Sequence, residues 1–307
     1  MGGLLGDEIP SVMNPRGPAA AELTVLSWQL FVGGAVVFVI TMGFLVWAMR
    51  RQPGHRPGTG ALVGWGIVIP SLVLAVLMVL AVRTAASTGI PPDDPAVVIE
   101  IVGHQFWWEV RYPDDGVVTA NEIVIPAGAP VLLRLESADV IHSFWIPQLQ
   151  GKTDMIPGRV NSMWLQADEP GTYGGVCAEF CGIQHALMRQ IVIALPAAEF
   201  EQWLLDQAAD AAPPQTASAQ QGLEVFQQHC MQCHAVRGAT PPVDIGPDLT
   251  HLATRQTIGA AILPNNRGAL GGWILDPQSQ KQGVRMPPSD IDGPQLQALL
   301  DYLEGLR

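Results

Sequence analysis

The chain has 307 residues, which is long enough for two or three domains. Hydrophobic residues make up 48% of it and charged residues only 14%, which indicates membrane segments rather than a soluble enzyme alone. The formal net charge of −12 argues against a nucleic-acid partner, because phosphate binding needs clustered Lys and Arg. An acidic face would attract a basic partner, although such charge is more often a solvated surface.

Two long apolar segments follow a polar N-terminal segment, residues 1–22. That segment has no basic stretch leading into an apolar core, so we expect no cleavable signal peptide. Neither Leu23–Met49 nor Pro57–Val82 contains a charged residue, and each is long enough to cross a bilayer as a helix. We predict a transmembrane helix hairpin over residues 23–83; two buried core helices are the alternative.

The short loop between these segments, Arg50–Arg56, is basic. Basic loops tend to stay on the cytoplasmic side, which predicts that both termini lie on the extracytoplasmic side of a bacterial inner membrane. Everything after Arg83 then lies in the oxidising compartment where c-type haem is attached.

After a proline-rich break at Ile90–Pro95 the hydrophobic pattern changes to period two. Short candidate strands between Gly and Pro turns are Val97–Val102, Ala120–Val124, Val131–Leu135, Ser162–Leu165, Gly171–Val176 and Gln190–Leu195. This spacing predicts an all-β sandwich or barrel over residues 96–196. A short helix at Ala197–Ala209 extends the predicted domain to residues 96–209.

The remaining chain divides into a linker and a final domain. Residues 210–221 are rich in Ala, Pro and Gln, which is typical of a linker. Residues 222–307 begin and end with predicted helices, Gly222–Cys230 and Gly293–Leu306.

One loop of the β-domain concentrates soft ligands: Cys177, Cys181, His185 and Met188. Such ligands favour copper over magnesium, calcium or manganese, and a further histidine is available at His142. Zinc could use two Cys and two His but would not need the Met. A mononuclear blue-copper site takes only one Cys, whereas two bridging thiolates can hold two coppers.

The motif Cys-x-Glu-x-Cys-Gly-x-x-His-x-x-Met, with Val140–Pro147 upstream, resembles the copper A site of subunit II of haem–copper cytochrome c oxidases. The resemblance covers the hairpin and the β-domain, which is a cupredoxin-like Greek key in that family. It implies side-chain copper ligands at His142, Cys177, Cys181, His185 and Met188, and a carbonyl ligand at Glu179. It also implies that the Glu179 carboxylate helps bind magnesium at the contact with subunit I.

The aromatic run Gly103–Tyr112 resembles the family's aromatic cluster. The resemblance implies that Trp108 receives electrons near the copper, whereas Phe106 and Trp107 are interpreted as core residues.

The sequence departs from the family in the second transmembrane segment, where Gly60–Trp65 has no carboxylate. Many family members have a carboxylate at the start of this helix, where it is thought to open a proton pathway.

The final domain contains the motif Cys230–Met231–Gln232–Cys233–His234, which fits the c-type haem attachment pattern. Zinc sites and redox dithiols can also use Cys-x-x-Cys, and two short disulfides are a further alternative for the four cysteines. Met286, in a proline-stiffened turn, is placed to be the second axial ligand opposite His234. The tail resembles an all-α class I cytochrome c, in which the Pro247 carbonyl would hold the proximal histidine.

Together these resemblances imply the electron-input subunit of a caa3-type oxidase, which passes electrons from haem c to copper A and on to haem a for oxygen reduction coupled to proton pumping. Subunits I and III, and a cytochrome c or quinol–cytochrome c reductase as donor, are the expected partners. The small subunit of a copper-A nitric oxide reductase is an alternative. A membrane-tethered electron shuttle or copper-delivery protein is another, whereas a quinol oxidase is disfavoured because its subunit lacks the copper ligands.

Overall fold

Two exposed apolar helices come first in the described part of the chain. The computed structural model describes residues 11–50, 58–91 and 93–307. Helix α1 spans Pro18–Arg50, and the second rod consists of α2 (Thr59–Val63), a π-helical segment (Gly64–Val68) and α3 (Ile69–Gly89). Both rods are long and apolar enough to cross a membrane, and their most apolar stretches are unburied, which confirms the predicted pair of apolar helices. Residues 1–10 and the basic loop from Arg51 to Arg56 lie outside the described residues.

The next domain is a β-sandwich, as predicted. Its strands are β1 (Val98–His104), β2 (Trp107–Tyr112), β3 (Val117–Ala120), β4 (Glu122–Pro126), β5 (Val131–Ser137), β6 (His142–Trp145), β7 (Thr153–Met155), β8 (Asn161–Leu165), β9 (Gly171–Cys177) and β10 (Arg189–Leu195). One sheet has the order β3-β2-β1-β5-β8 and the other β4-β10-β9-β6-β7. The pairs β1/β5 and β4/β10 are parallel, and the others are antiparallel.

Alternating side chains of the two sheets form the core of the sandwich. On β5 the side chains of Val131, Leu133 and Leu135 are fully inaccessible, whereas Leu132 and Arg134 between them are more exposed. Burying an aliphatic side chain of this size contributes about 1.5–3 kcal/mol, so the two inward faces hold the sheets together. The sequence predicted one strand at Ala120–Val124. The structure has two, since Asn121 between them adopts a positive φ of 64°.

A helical domain follows helix α4 (Ala197–Ala208). Its helices are α5 (Ala217–His229), α6 (Arg267–Leu275), α7 (Pro277–Gln280) and α8 (Gly293–Leu303). Helix α5 begins five residues before the predicted start, because the Thr216 side chain caps it by accepting a hydrogen bond from the Ala219 amide.

Helices α5 and α8 cross where Gly222 lies against the Ala298 backbone, so closely that a Cβ at Gly222 would collide with the Ala298 carbonyl oxygen. One turn on, the rings of Phe226 and Tyr302 lie 5.7 Å apart between their centroids. The first helix of this domain therefore packs directly on the last.

Candidate metal and haem sites

The soft ligands of the β-domain lie at one end of a sheet, where β9 ends and β6 and β10 begin. Cys177 is the last residue of β9, and His142 is the first residue of the neighbouring strand β6. The loop after β9 returns to β10 through a short 3-10 turn, His185–Leu187. Its ends are tied by a 2.9 Å hydrogen bond from the Cys177 amide to the Met188 carbonyl, so a rigid sheet edge supports the loop.

The structure brings the predicted copper ligands together around the two thiols. The Sγ atoms of Cys177 and Cys181 are 3.8 Å apart. His142 Nδ1 lies 3.9 Å from Cys177 Sγ, and His185 Nδ1 lies 3.9 Å from Cys181 Sγ. Met188 Sδ is 3.8 Å from Cys181 Sγ. Each thiol thus has one imidazole nitrogen beside it.

These distances fit metals held between the ligands better than a disulfide. A disulfide bond is about 2.05 Å long, whereas both thiols are free. A first-row metal such as zinc binds thiolate at about 2.3 Å and imidazole at about 2.0–2.1 Å, so two ligands of one metal can lie up to about 4.3 Å apart. The 3.8–3.9 Å separations satisfy this limit on both the His142 and the His185 side, and the donor set of thiolate, imidazole and thioether suits copper.

A hydrogen bond to Asp139 orients the imidazole of His142. Its Nε2 donates to Asp139 Oδ1 at 2.8 Å, which leaves Nδ1 facing Cys177, an arrangement typical of metal-binding histidines. Burial alone would lower the pKa of His142, but the hydrogen bonds with Cys177 and Asp139 outweigh it and raise that pKa. The two thiols share a hydrogen bond that shifts their pKa values in opposite directions. It lowers the pKa of the Cys177 thiol and raises the pKa of the Cys181 thiol.

Glu179 presents two different groups. Its carbonyl oxygen is 3.3 Å from Cys177 Sγ, which places it beside the predicted copper ligands. Its carboxylate is 45% exposed and lies 3.7 Å from Lys152 Nζ. The carboxylate is therefore open to a partner or to a cation.

Trp108 is fully buried beside the predicted copper ligands. Its ring meets those of His142 and Phe144 edge-on, at centroid distances of 5.8 and 5.7 Å. The indole Nε1 has no hydrogen-bond partner within the described residues. Trp108 thus contacts a predicted copper ligand but does not line the haem-domain cavity.

In the helical domain the thiols and the predicted axial ligands line one cavity. Cys230 follows α5 directly, and Cys233, His234 and Met286 lie around the same space. The His234 Nδ1–H donates to the Pro247 carbonyl at 2.8 Å, as the resemblance implied. Because Nδ1 is the donor, Nε2 remains available as a ligand. A Cβ at Gly246 would lie only 2.8 Å from His234 Cε1, so this position needs glycine.

The surroundings of this cavity fit a haem. Apolar side chains from α5, α6 and α8 form much of its wall: Phe226, Leu270, Ile274, Leu299 and Leu303. Burial lowers the pKa of His234, which keeps the imidazole neutral and able to bind iron. Both thiols are free for thioether bonds. When bound, haem c and copper A each take up and release one electron.

The sequence did not indicate that the β-domain also lines this cavity. Gln105, Phe106 and Trp107 contribute to its wall. The sequence also did not single out Lys281, which is only 1% exposed, lines the same cavity and donates to the Gly259 carbonyl at 3.0 Å. Burial lowers the pKa of Lys281 to about 8. No motif marks these residues, because their role depends on how the two domains pack.

A β-sandwich with paired thiols, followed by a helical domain with a haem-attachment motif, defines a membrane-anchored electron-transfer subunit. Comparison with known proteins specifies the family. Residues 116–195 match the model of the cytochrome c oxidase subunit II periplasmic domain, and residues 219–307 match that of cytochrome c.

Two named relatives extend over nearly the whole chain. Cytochrome c oxidase subunit 2 of Alkalihalophilus pseudofirmus is 38% identical, over 99% of this chain and 93% of the relative. The Bacillus subtilis protein of the same name is 31% identical, over 98% and 93%. The crystallised periplasmic domain of subunit II (CoxB) of Bradyrhizobium japonicum is 30% identical with a TM-score of 0.37, covering 38% of this chain and 96% of that one.

The chain belongs to the cytochrome c oxidase subunit II family and carries a fused cytochrome c domain. It is a subunit of an oxidoreductase complex, has an electron-input role in a haem–copper oxidase and associates with subunit I. Its fold is the expected one: two apolar helices, a cupredoxin-like β-domain and a helical cytochrome c domain. The family models imply copper A and haem c as cofactors. The two apolar helices and the periplasmic domain make it a membrane protein with an extracytoplasmic domain.

Proposed function

We propose that this chain is the electron-input arm of a caa3-type cytochrome c oxidase. In this proposal electrons pass from its own haem c to copper A and then to haem a of subunit I. Subunit I reduces oxygen and pumps protons. The observation that carries this proposal is the placement of both ligand sets in one chain. The cavity of His234 and Met286 is walled in part by Gln105, Phe106 and Trp107 of the copper domain.

Each predicted ligand has a specific task in this proposal. Cys230 and Cys233 attach the haem covalently, while His234 and Met286 bind its iron. A His/Met pair raises the potential into the range of an electron carrier. The Pro247 carbonyl fixes the orientation of His234 through the 2.8 Å hydrogen bond.

On the copper side, the residues that would hold copper A are Cys177, Cys181, His142, His185 and Met188, together with the Glu179 carbonyl. Sharing one electron over two metals keeps geometric change on reduction small. The edge-on contact of Trp108 with His142 supports its proposed role in electron entry.

The proposed face toward subunit I includes Glu179 and its neighbour Phe180, which is 75% exposed. A large exposed aromatic next to a carboxylate is typical of a covered interface rather than a free surface. In this proposal the Glu179 carboxylate exchanges Lys152 for magnesium on assembly. The rest of the magnesium shell comes from the partner, because one carboxylate does not fill an octahedral site.

The proposed topology places both termini and both redox domains outside the cytoplasm, with the Arg50–Arg56 loop inside. Subunit III and a cytochrome c or quinol–cytochrome c reductase donor are further proposed partners. Since Gly60–Trp65 offers no carboxylate, the proton input that many family members have at this position is in this proposal either supplied by another subunit or works differently.

The decisive experiment purifies the complex that contains this chain and supplies reduced cytochrome c with either oxygen or nitric oxide. We expect oxygen uptake and co-purification with a many-helix haem a protein. Consumption of nitric oxide alone would instead favour the copper-A nitric oxide reductase. A stable monomer in detergent with no haem a partner would favour a tethered shuttle or a copper-delivery protein.

A further inference from the structure

The loop that carries copper ligands packs directly on the loop that carries Met286. Gln184 Nε2 donates to the Gln282 carbonyl. Beside it, Ile183 lies against Gly283 so closely that a Cβ on Gly283 would be 2.5 Å from Ile183 Cγ2. The two ligand loops therefore form one continuous contact between the domains.

One charged side chain crosses this contact. Arg285, adjacent to Met286, donates through Nη2 to the Gln105 side-chain carbonyl and lies 3.8 Å from Asp139 Oδ2. Both of its partners belong to the β-domain. A planar guanidinium can hold two acceptors in a fixed geometry, which the single ammonium of a lysine does less well.

Both partners of Arg285 in turn hold residues of the copper site. Gln105 Nε2 donates to the Cys181 carbonyl at 2.5 Å. Asp139 receives the 2.8 Å hydrogen bond from His142, and its other oxygen accepts from the Gln105 amide at 2.7 Å. A chain of two hydrogen bonds thus runs from Arg285 through Gln105 to Cys181. A second route runs from Arg285 through its 3.8 Å ion pair with Asp139 to the hydrogen bond between Asp139 and His142.

We propose that Arg285 is a positioning residue that couples the two redox sites, fixing the Met286 loop on the copper loop through Gln105 and Asp139. This inference rests on the proposed function, because it assumes that both cofactors are bound. Arg285 also supplies a positive charge next to both sites. A nearby positive charge favours the reduced form, so it raises the potentials of the haem and the copper.

A simpler role for Arg285 is that of a surface ion pair. Its side chain is 64% exposed, and exposed ion pairs contribute little to stability. What distinguishes a positioning role is its effect on the copper site. Losing an ordinary surface charge would not alter the copper spectrum or selectively slow transfer between the sites.

The test uses the assembled oxidase with Arg285→Gln, Arg285→Lys and, as the matched control, Arg267→Gln. Arg267 pairs with Asp301 and Glu304 within the cytochrome domain, so its replacement removes the same charge without touching the β-domain. Three readouts are taken: metal and haem content, the copper potential with its electron spin spectrum, and the rate of haem-to-copper transfer after a flash.

For Arg285→Gln we expect a lower copper potential, an altered spin spectrum and transfer slowed by about twofold to fivefold, the factor that corresponds to the loss of an exposed charged contact. Arg285→Lys should recover part of the rate, and Arg267→Gln should match the wild type. The rate in wild type should also fall toward that of Arg285→Gln at high salt, because an exposed pair is screened.

Equal rates and copper spectra in Arg285→Gln and Arg267→Gln would overturn the proposed role of Arg285 and leave the proposed function intact. A wild-type complex that lacks copper or haem, or that shows no haem-to-copper transfer, would overturn the proposed function itself, and this inference with it.

Discussion

A buried carboxylate joins the β-domain to the cytochrome domain, and its removal tests how firmly they dock. Glu122, at the start of β4, is 5% exposed. Its oxygens accept hydrogen bonds from the Thr257 amide at 2.8 Å, the Thr257 hydroxyl at 2.7 Å and the Gln256 amide at 3.1 Å. All three donors belong to the other domain. Burial raises the pKa of Glu122, and these hydrogen bonds only partly offset that effect.

Replacing Glu122 with Ala leaves these donors without their acceptor. Each unsatisfied buried donor costs about 1–3 kcal/mol, and water entering the gap recovers part of that. We therefore expect Glu122→Ala to weaken the docked state by about 3 kcal/mol, which corresponds to about a hundredfold change in the docking equilibrium. Glu122→Gln keeps an acceptor oxygen and should lose less. Thr257→Val removes a single donor and should cost about 1 kcal/mol.

Hydrogen exchange of the Gln256 and Thr257 amides reads this equilibrium directly, because both amides are protected by Glu122. Mass spectrometry of the purified complex should show exchange at this peptide faster by about a hundredfold in Glu122→Ala and by about tenfold or less in Thr257→Val. The control is Glu224→Ala, which removes an exposed carboxylate on α5. If the Gln256–Thr257 peptide exchanged within about threefold of wild type in Glu122→Ala, the docking interaction assigned to Glu122 would be refuted.

Three further changes test the sites and the core. Replacing Cys181 with Ser should remove a bridging thiolate and abolish the mixed-valence electron spin signal; an unchanged signal would exclude a bridging role. Changing Cys233 to Ala should abolish covalent haem, so that haem stain retained on a denaturing gel would contradict c-type attachment. Gly222→Ala should destabilise the cytochrome domain by about 1–3 kcal/mol in thermal unfolding, because its Cβ would collide with the Ala298 carbonyl. The control Gly272→Ala, whose nearest atom is 3.7 Å away, should instead leave stability equal or raise it by up to about 1 kcal/mol.

Elements with a strong local pattern could be predicted from the sequence. The charge-free segments became α1 and α3, and period-two alternation placed strands such as β5 and β10 correctly. The short strands β6 and β7 were missed, although β6 begins with His142, and only the last residue of β3 lay in a predicted strand. Strand β2 was not predicted as a strand because it does not alternate: Trp108, Glu109 and Val110 are all buried. A strand of three or four residues carries too few alternations to stand out from a loop, and its formation depends on neighbours distant in sequence.

The site was predictable as far as its residues lie in compact motifs. Cys177, Cys181, His185 and Met188 are within one loop, and the structure brings them together with His142. The interdomain contacts were not predictable, because Glu122, Asp139 and Arg285 read as ordinary surface charges. Their partners are up to 180 residues away along the chain, as for Arg285 and Gln105, and only the packing of the two domains pairs them.

We propose that this one chain carries both a dinuclear copper centre on the 177–188 loop and a covalent haem. Metal analysis of the purified chain, combined with electron spin resonance, tests it most directly. We expect two coppers for each haem iron, with hyperfine splitting from one electron shared equally between both copper nuclei. A single copper, or zinc in its place, would contradict it.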